Sequence, residues 1–276
     1  MVGLSASGIV FGVKKIAEHV SKPKPSNYVV NAIADEHTIN HYPPNAEFDY
    51  QKDFPNLYAK SPQKINDVQK GACYLTFDDG PSRLTKEVLD ILDKNNIKAT
   101  FFVVVNKDTN FEIINEAIEK GHSIGIHSNT HKYNQIYQDV NSFLEDINIA
   151  NDLIYEHTNY RPTIIRFPGG SINSYNAGFY EELISEVVRR NYHYFDWNVS
   201  FEDAAKNITK DEIIRNIKNG ISTYPAETSR LIVLAHDSQS KYSSVDALQS
   251  VIDLIKENGY TFQTLDNSVP IMSFNY

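Results

Sequence analysis

Cysteine is almost missing from this chain: Cys73 is the only one in 276 residues. No intramolecular disulfide can form and no cysteine cluster can hold zinc, so stability has to come from packing and any metal has to be held by histidine and carboxylates. Basic residues are outnumbered, with 26 Lys and Arg against 35 Asp and Glu and a formal charge of −9. That balance argues against the electropositive surface that nucleic-acid binding needs. A long apolar run is missing too. Gly3 to Val13 (GLSASGIVFGV) is short, contains two serines and is followed by Lys14-Lys15. A spanning helix needs about 20 apolar residues, and a signal peptide carries its basic residues before the apolar stretch rather than after it. The segment is expected to be a surface helix, with the stub of a membrane anchor as the alternative. What the chain does have is 41% hydrophobic and 12% aromatic residues, enough for a sizeable core and too much for a disordered tail.

Two regions of different character follow. Lys22-Pro-Lys-Pro-Ser26 reads as a linker, because alternating prolines block helix and ladder hydrogen bonds. Asn27 to Lys70 is turn-rich and aromatic, with Pro43-Pro44, Pro55 and Pro62 and no sustained period; it is expected to be an ordered, irregular arm over one side of the main domain. Residues 1–70 are thus assigned to helix, linker and arm, and 71–276 to the main domain.

From Ala72 onward short apolar runs alternate with amphipathic segments, the signal for βα units. Strands are expected at Ala72 to Phe77, Ala99 to Val105, His122 to Ile126, Thr163 to Arg166, His193 to Trp197, Arg230 to Ala235 and Tyr260 to Thr264. Helices are expected at Thr85 to Asn95, Phe111 to Lys120, Asp139 to His157, Gly178 to Arg189, Thr209 to Gly220 and Val245 to Glu257. Phe143, Ile147, Ala150 and Ile154 fall on one helical face, and Thr209 with Glu212 forms a capping box. About seven strands separated by helices predict an α/β fold, a distorted (β/α) barrel of about seven parallel strands; an open doubly wound sheet is the competing topology.

In such folds chemistry collects at the carboxyl ends of the strands. Here those ends read Thr76-Phe-Asp-Asp-Gly80, His127-Ser-Asn-Thr-His131, Arg166-Phe-Pro-Gly-Gly170, Asp196-Trp197 and His236-Asp237. Each has an ordinary explanation alone. Asp78-Asp79 before Gly80-Pro81 can simply open a turn, a four-residue histidine spacing arises by chance among nine histidines, and Arg166 or His236 can be satisfied core residues. Together on one rim they fit one arrangement. Asp79, His127 and His131 hold a divalent ion with open positions left for water and substrate, while Asp78 acts as base and His236 as acid.

The five ordered motifs resemble those of the polysaccharide deacetylases with a NodB-homology domain, carbohydrate esterase family four, and most of all bacterial peptidoglycan N-acetylglucosamine deacetylases. Thr76 to Gly80 matches T-F-D-D-G, His127 to His131 matches H-S/T-x-x-H, Arg166 to Pro168 matches R-x-P, Asp196-Trp197 matches D-W and Leu234 to His236 matches L-x-H. The resemblance covers roughly Gly71 to Leu265. It implies a distorted (β/α) barrel, Asp79, His127 and His131 as ligands of one divalent ion (zinc first, with Co2+, Ni2+, Fe2+ and Mn2+ serving in relatives), Asp78 as general base and His236 as general acid. It further implies that Arg166 orients Asp78, Asp196 tunes His236, and Trp197 and Leu234 line a pocket for the acetyl methyl. Two departures stand out: Gly169 replaces a frequent tyrosine, leaving only its N–H for an oxyanion, and His193 stands where relatives often carry another aspartate.

The expected function is therefore metal-dependent removal of N-acetyl groups from N-acetylglucosamine units of a cell-wall or surface polysaccharide, peptidoglycan first. Chitin oligomers, poly-N-acetylglucosamine and O-acetylated xylan are alternative substrates. The expected partner is an N-acetylated polysaccharide and no nucleic acid, the expected state a monomer, and the expected place extracellular or cell-surface, with a membrane anchor in a segment not complete in this chain. An aspartyl phosphatase of the haloacid dehalogenase type needs a residue between its two acids, which Asp78-Asp79 lacks. A non-catalytic glycan-binding module on the same fold would be expected to lose one of Asp78, His127, His131 or His236, and all four are here.

Overall fold

The computed structural model of the chain describes residues 48–204 and 208–274; the helix and linker expected near the amino terminus, and the first part of the arm, lie outside them. Among the described residues eight strands form one parallel sheet: β1 (Ala72–Asp78), β2 (Thr100–Val104), β3 (Ser123–Ser128), β4 (Ile164–Ile165), β5 (His193–Tyr194), β6 (Val199–Ser200), β7 (Leu231–His236) and β8 (Thr261–Gln263). Their order is β5-β4-β3-β2-β1-β7-β6. β8 pairs with β1 at Ala72–Tyr74, below the Thr76–Asp78 stretch that pairs with β2. The sheet curls into the expected distorted (β/α) barrel. Its extra strand relative to the sequence reading is β6, two residues long and too short to show periodicity.

The barrel does not close by a ladder between β5 and β6. The expected strand His193 to Trp197 stops at Tyr194, and the chain then crosses towards β6 against the C-terminal segment. Phe195 bridges to Met272, the Asp196 N–H donates to the Met272 carbonyl, and the buried Arg230 guanidinium donates to Pro270 and Ile271 carbonyls.

Among the described residues seven α-helices surround the sheet: α1 (Arg83–Lys94), α2 (Phe111–Glu119), α3 (Tyr133–Ile136), α4 (Val140–Thr158), α5 (Tyr180–Arg189), α6 (Lys210–Thr223) and α7 (Tyr242–Glu257). Side-chain caps begin four of them, from Ser82, Asn110, Asp139 and Thr209, each satisfying a backbone N–H that the first turn cannot pair. The main core lies between sheet and helices, where Phe143, Ile147, Ala150 and Ile154 of α4 are fully buried as their spacing requires. A smaller core of Tyr74, Phe102, Ile164, Phe195, Ile232, Leu265 and Met272 fills the barrel interior, so the barrel is plugged below the rim. Cys73 is buried in β1, and burial pushes its thiol pKa up, away from reactivity.

Arg190 makes four of the contacts that hold the described part of the arm. Arg190, fully buried at the end of α5, donates to the carbonyls of Tyr50, Asp53, Phe54 and Leu57 and pairs with Glu186 at 2.7 Å. Five donors in a rigid fork suit a cluster of carbonyls that no ladder satisfies. Among the described residues no helix is long and apolar enough to cross a membrane.

Candidate active site

β1 delivers its acids to the rim because every residue from Ala72 to Asp78 is buried and the strand ends where Gly80 lets the chain turn. Gly80 has no room for a side chain: a Cβ there would lie 2.5 Å from both carboxylate oxygens of Asp237. Asp78 is 3% exposed and receives Arg166 Nη1 at 2.9 Å. The same Nη1 reaches Thr76 Oγ1 at 2.6 Å, Nε donates to the Phe195 carbonyl, and the guanidinium lies 4.3 Å from the Phe102 ring centroid. Burial pushes the Asp78 carboxyl above its ordinary value, with Arg166 and His236 opposing the shift. Asp78 is thus held in place by Arg166 with its carboxyl raised by burial.

Asp79 turns the other way, with φ 73 in the left-handed region. Its Oδ1 is buried without a hydrogen-bond partner and lies 3.5 Å from His127 Nε2 and 3.3 Å from His131 Nε2. His131 also has a positive φ, 54. A left-handed conformation in a residue other than glycine costs on the order of 1–3 kcal/mol, and such strain clusters at functional sites. His127 Nδ1 lies 2.7 Å from the Arg166 carbonyl, so that nitrogen carries the proton and Nε2 presents its lone pair. Burial drives the His127 pKa down to about 3, with Asp79 opposing, and the imidazole is neutral. One orphaned carboxylate oxygen and two imidazole nitrogens, all within 4.8 Å of one another, are the donor set of a divalent-ion site.

Sequence reasoning missed what holds the histidine loop in place. Asp146 of α4, 6% exposed, accepts from Ser128 Oγ (2.6 Å), Asn129 N–H (2.9 Å), Thr130 N–H (2.9 Å) and Thr130 Oγ1 (2.8 Å). Ser128 Oγ in turn accepts from the His131 N–H at 2.7 Å. One carboxylate thereby sets the whole turn between the two histidines. Asp146→Ala strands four donors, a cost of about 3 kcal/mol, and is expected to lower the melting temperature by about 6–12 °C and to weaken divalent-ion binding. Calorimetric melting and an ion titration check this; an unchanged pair of values would mean that the turn holds its own shape.

The structure corrects one expected role. Asp196 does not touch His236: its carboxylate is occupied by Ser171 N–H (2.8 Å), Ser171 Oγ (2.5 Å) and Phe274 N–H (2.8 Å), tying the loop after β4 to the C-terminal segment. The partner of His236 is Asp203, just beyond β6, with Oδ1 2.6 Å from His236 Nδ1 and Oδ2 accepting the His236 N–H at 2.8 Å. Ser244 Oγ and Lys241 Nζ hold Asp203 from α7 and the residue before it. Burial alone would lower the His236 pKa, yet its bond to Asp203 and the nearby charges of Asp203, Asp78 and Asp79 raise it to about 9. His193 lies away from this pair, its Nδ1 meeting the Val269 carbonyl. The signal for Asp203 was present, as an acid at a strand's carboxyl end, but the strand is only Val199–Ser200.

Asp78 and His236 are direct partners across β1 and β7, as are Thr76 and Leu234, so Asp78, His236 and Leu234 share one face of the sheet. Trp197 is half-buried, edge-on to Phe274 at 4.8 Å, and lies 5.8 Å from the Arg166 guanidinium. Gly169 has φ 78 and, among the described residues, its N–H meets no acceptor. Asp237, next to His236, is fully enclosed; burial, with Asp79 and Asp78, lifts its pKa to about 7 against the Thr85 hydrogen bond, and it braces the loop through Gly80 and Thr85.

Residues 65–187 match the family model of polysaccharide deacetylase. The catalytic domain of a peptidoglycan N-acetylglucosamine deacetylase from Eubacterium rectale is 38% identical, with a TM-score of 0.71 over 78% of this chain and 97% of its own. A Bacillus subtilis relative provisionally named a polysaccharide deacetylase, YheN, is 31% identical over 80% of this chain and 77% of its own. A peptidoglycan-N-acetylglucosamine deacetylase of Bacillus cereus is 29% identical over 74% and 72%. The chain belongs to the polysaccharide deacetylase family, carbohydrate esterase family four, a family of hydrolases.

Proposed function

We propose that this protein removes N-acetyl groups from N-acetylglucosamine units of a bacterial cell-wall or surface polysaccharide, with peptidoglycan the first candidate, outside the cell or at its surface. The observation that carries the reading is a pair of proton carriers beside one ion site: Asp78, raised by burial against the pull of Arg166, and His236, raised to about 9 by Asp203. The names of the Eubacterium rectale and Bacillus cereus relatives support the substrate class.

Asp79, His127 and His131 fit a divalent ion, zinc first, which when bound supplies Lewis acidity and an acidified water. The protein's own groups then do the rest. Asp78 takes the proton of the attacking water, with Arg166 fixing its carboxylate in the plane required. The Gly169 N–H is placed to receive the acyl oxygen as negative charge develops there, a type of contact worth roughly 3–4 kcal/mol. His236 gives its proton to the departing nitrogen, because an amide nitrogen does not leave as an anion at neutral pH. Trp197 and Leu234 border the side on which the acetyl methyl must sit. Acetate and a glucosamine unit are released.

The experiment is acetate release, with divalent ion added, from purified peptidoglycan, chitin oligomers, poly-N-acetylglucosamine and acetylated xylan side by side. Retention on a glycan without acetate release would make the chain a binding module. His127→Ala is expected to leave the fold intact, to bring bound ion below a tenth of a molar equivalent by elemental analysis, and to abolish release. Full ion content in that variant would take His127 out of the site.

A further inference from the structure

The loop after β3 reaches across to the loop after β4 at one point. Gly169 has φ 78, and a Cβ built on it would lie 2.9 Å from Cε1 and 3.0 Å from Oη of Tyr133. The space over Gly169 that a side chain at that position would occupy is therefore filled from outside, by the first residue of α3. Tyr133 cannot move away easily. Its ring stands edge-on to His131 at 5.4 Å and to Tyr137 at 5.9 Å, and tilts against Tyr175 at 5.1 Å. Tyr137 is itself pinned by its hydroxyl, which donates to the Pro168 carbonyl at 2.8 Å. The Tyr133 ring is thus clamped between one candidate ion ligand and the chain immediately before Gly169.

Two donors are left over at this point. Among the described residues, neither the Gly169 N–H nor the Tyr133 hydroxyl has a hydrogen-bond partner, although Tyr133 is half-buried. A half-buried hydroxyl that no protein group has claimed is open to a ligand entering beside the ion site. A phenol keeps its proton at neutral pH, and the edge contact with His131 sets the ring beside the ion site.

We propose that Tyr133 donates its hydroxyl proton in a hydrogen bond to the acyl oxygen of the substrate, forming with the Gly169 N–H a two-donor pocket for the developing oxyanion. A carbonyl oxygen has two lone pairs and accepts two donors, and a neutral phenol facing an oxyanion forms a short, charge-assisted bond. The bond strengthens as the carbonyl becomes an alkoxide, so it favours the transition state over bound substrate. No proton is transferred: Tyr133 stays neutral, and the proton for the departing nitrogen still comes from His236. The inference rests on the deacetylase reading and assigns a further residue to that reaction.

Tyr133→Phe tests it, because the ring and its packing remain and only the hydroxyl is lost. With chitin oligomers as substrate and the ion-loaded protein, the expected result is a fall in kcat of about 10- to 100-fold with KM within twofold of the unaltered chain. Methylphosphonate, whose tetrahedral anionic oxygens imitate the oxyanion, gives a second readout by calorimetry and is expected to bind about tenfold more weakly. A Tyr133→Phe variant within twofold of the unaltered chain in both kcat and methylphosphonate affinity would overturn the proposal and leave the ring as packing, whatever Tyr133→Ala does to stability. If the unaltered chain released no acetate from any glycan, the deacetylase reading would fail, whereas the methylphosphonate comparison would still report on the hydroxyl.

Discussion

Asp78→Asn is expected to bind a divalent ion as the unaltered chain does and to release acetate about a thousandfold more slowly. The expectation follows from how differently two adjacent carboxylates are placed. Asp79 directs an unpartnered oxygen at two imidazole nitrogens 3.3 and 3.5 Å away. Asp78 turns to the other side of the chain, gives one oxygen to Arg166 at 2.9 Å, and comes no nearer to His127 Nε2 than 3.9 Å. The asparagine retains the shape and one acceptor oxygen, so Arg166 keeps a hydrogen bond, but the group no longer takes a proton. Leaving a fully buried guanidinium without its counter-charge costs on the order of 3–5 kcal/mol, and the melting temperature should fall accordingly. Elemental analysis of the purified variant beside a steady-state assay decides the matter: ion loss would make Asp78 a ligand, and retained turnover would make some other group the base.

Much of this site was legible because strand ends in a parallel sheet share a rim. Once Ala72 to Phe77, Thr163 to Arg166 and Arg230 to Ala235 read as buried strands, Asp78, Asp79, Arg166 and His236 had to lie near one another. The two-histidine turn was legible for the same reason. What was not legible depends on contacts without a local signature. Asp146 lies in the middle of a helix, where an acid usually faces solvent, and only packing of α4 on β3 turns it inward. Tyr133 reads as one more loop aromatic until the empty Cβ position of Gly169 shows what it fills. Asp203 has no local signature because β6 is two residues long, whereas Asp196-Trp197 ends an aromatic run and matches a short motif. Packing gave that carboxylate to Ser171 and Phe274 instead.

The two buried acids that matter for proton transfer are separated by their partners. Burial pushes both upward, but Asp203 accepts from His236 Nδ1, the His236 N–H and Ser244 Oγ, and these bonds carry its pKa below the ordinary value. Asp78 receives only the Arg166 fork and stays raised. One acid therefore remains an anion that stabilises a cation, and the other is tuned to gain and lose a proton. Dividing these roles between two environments lets one rim hold a base and an acid at the same pH.

From this follows the second large effect, in the pH dependence. His236 titrates near 9 in the folded protein against an ordinary 6.5. A raised pKa means that the pair contributes its full stabilisation below about 6.5, and that both this stability and the acid's proton are lost as pH rises through about 9. Asp203→Asn removes the charge that outweighs burial, so the His236 pKa is expected to fall to 6.5 or lower and the alkaline limb of kcat/KM to move down by about two pH units. At pH 8 the amide should then be cleaved about 10- to 30-fold more slowly, since the protonated fraction of the acid falls from roughly nine-tenths to between a tenth and a thirtieth. Cleavage of an activated acetate ester, whose leaving group departs without a proton, should lose far less. Asp196→Asn should leave the limb in place while lowering the melting temperature, because Ser171 and Phe274 lose part of their acceptor. A limb that moves with Asp196→Asn and stays with Asp203→Asn would reverse the assignment, and equal losses on amide and ester would take the acid role away from His236.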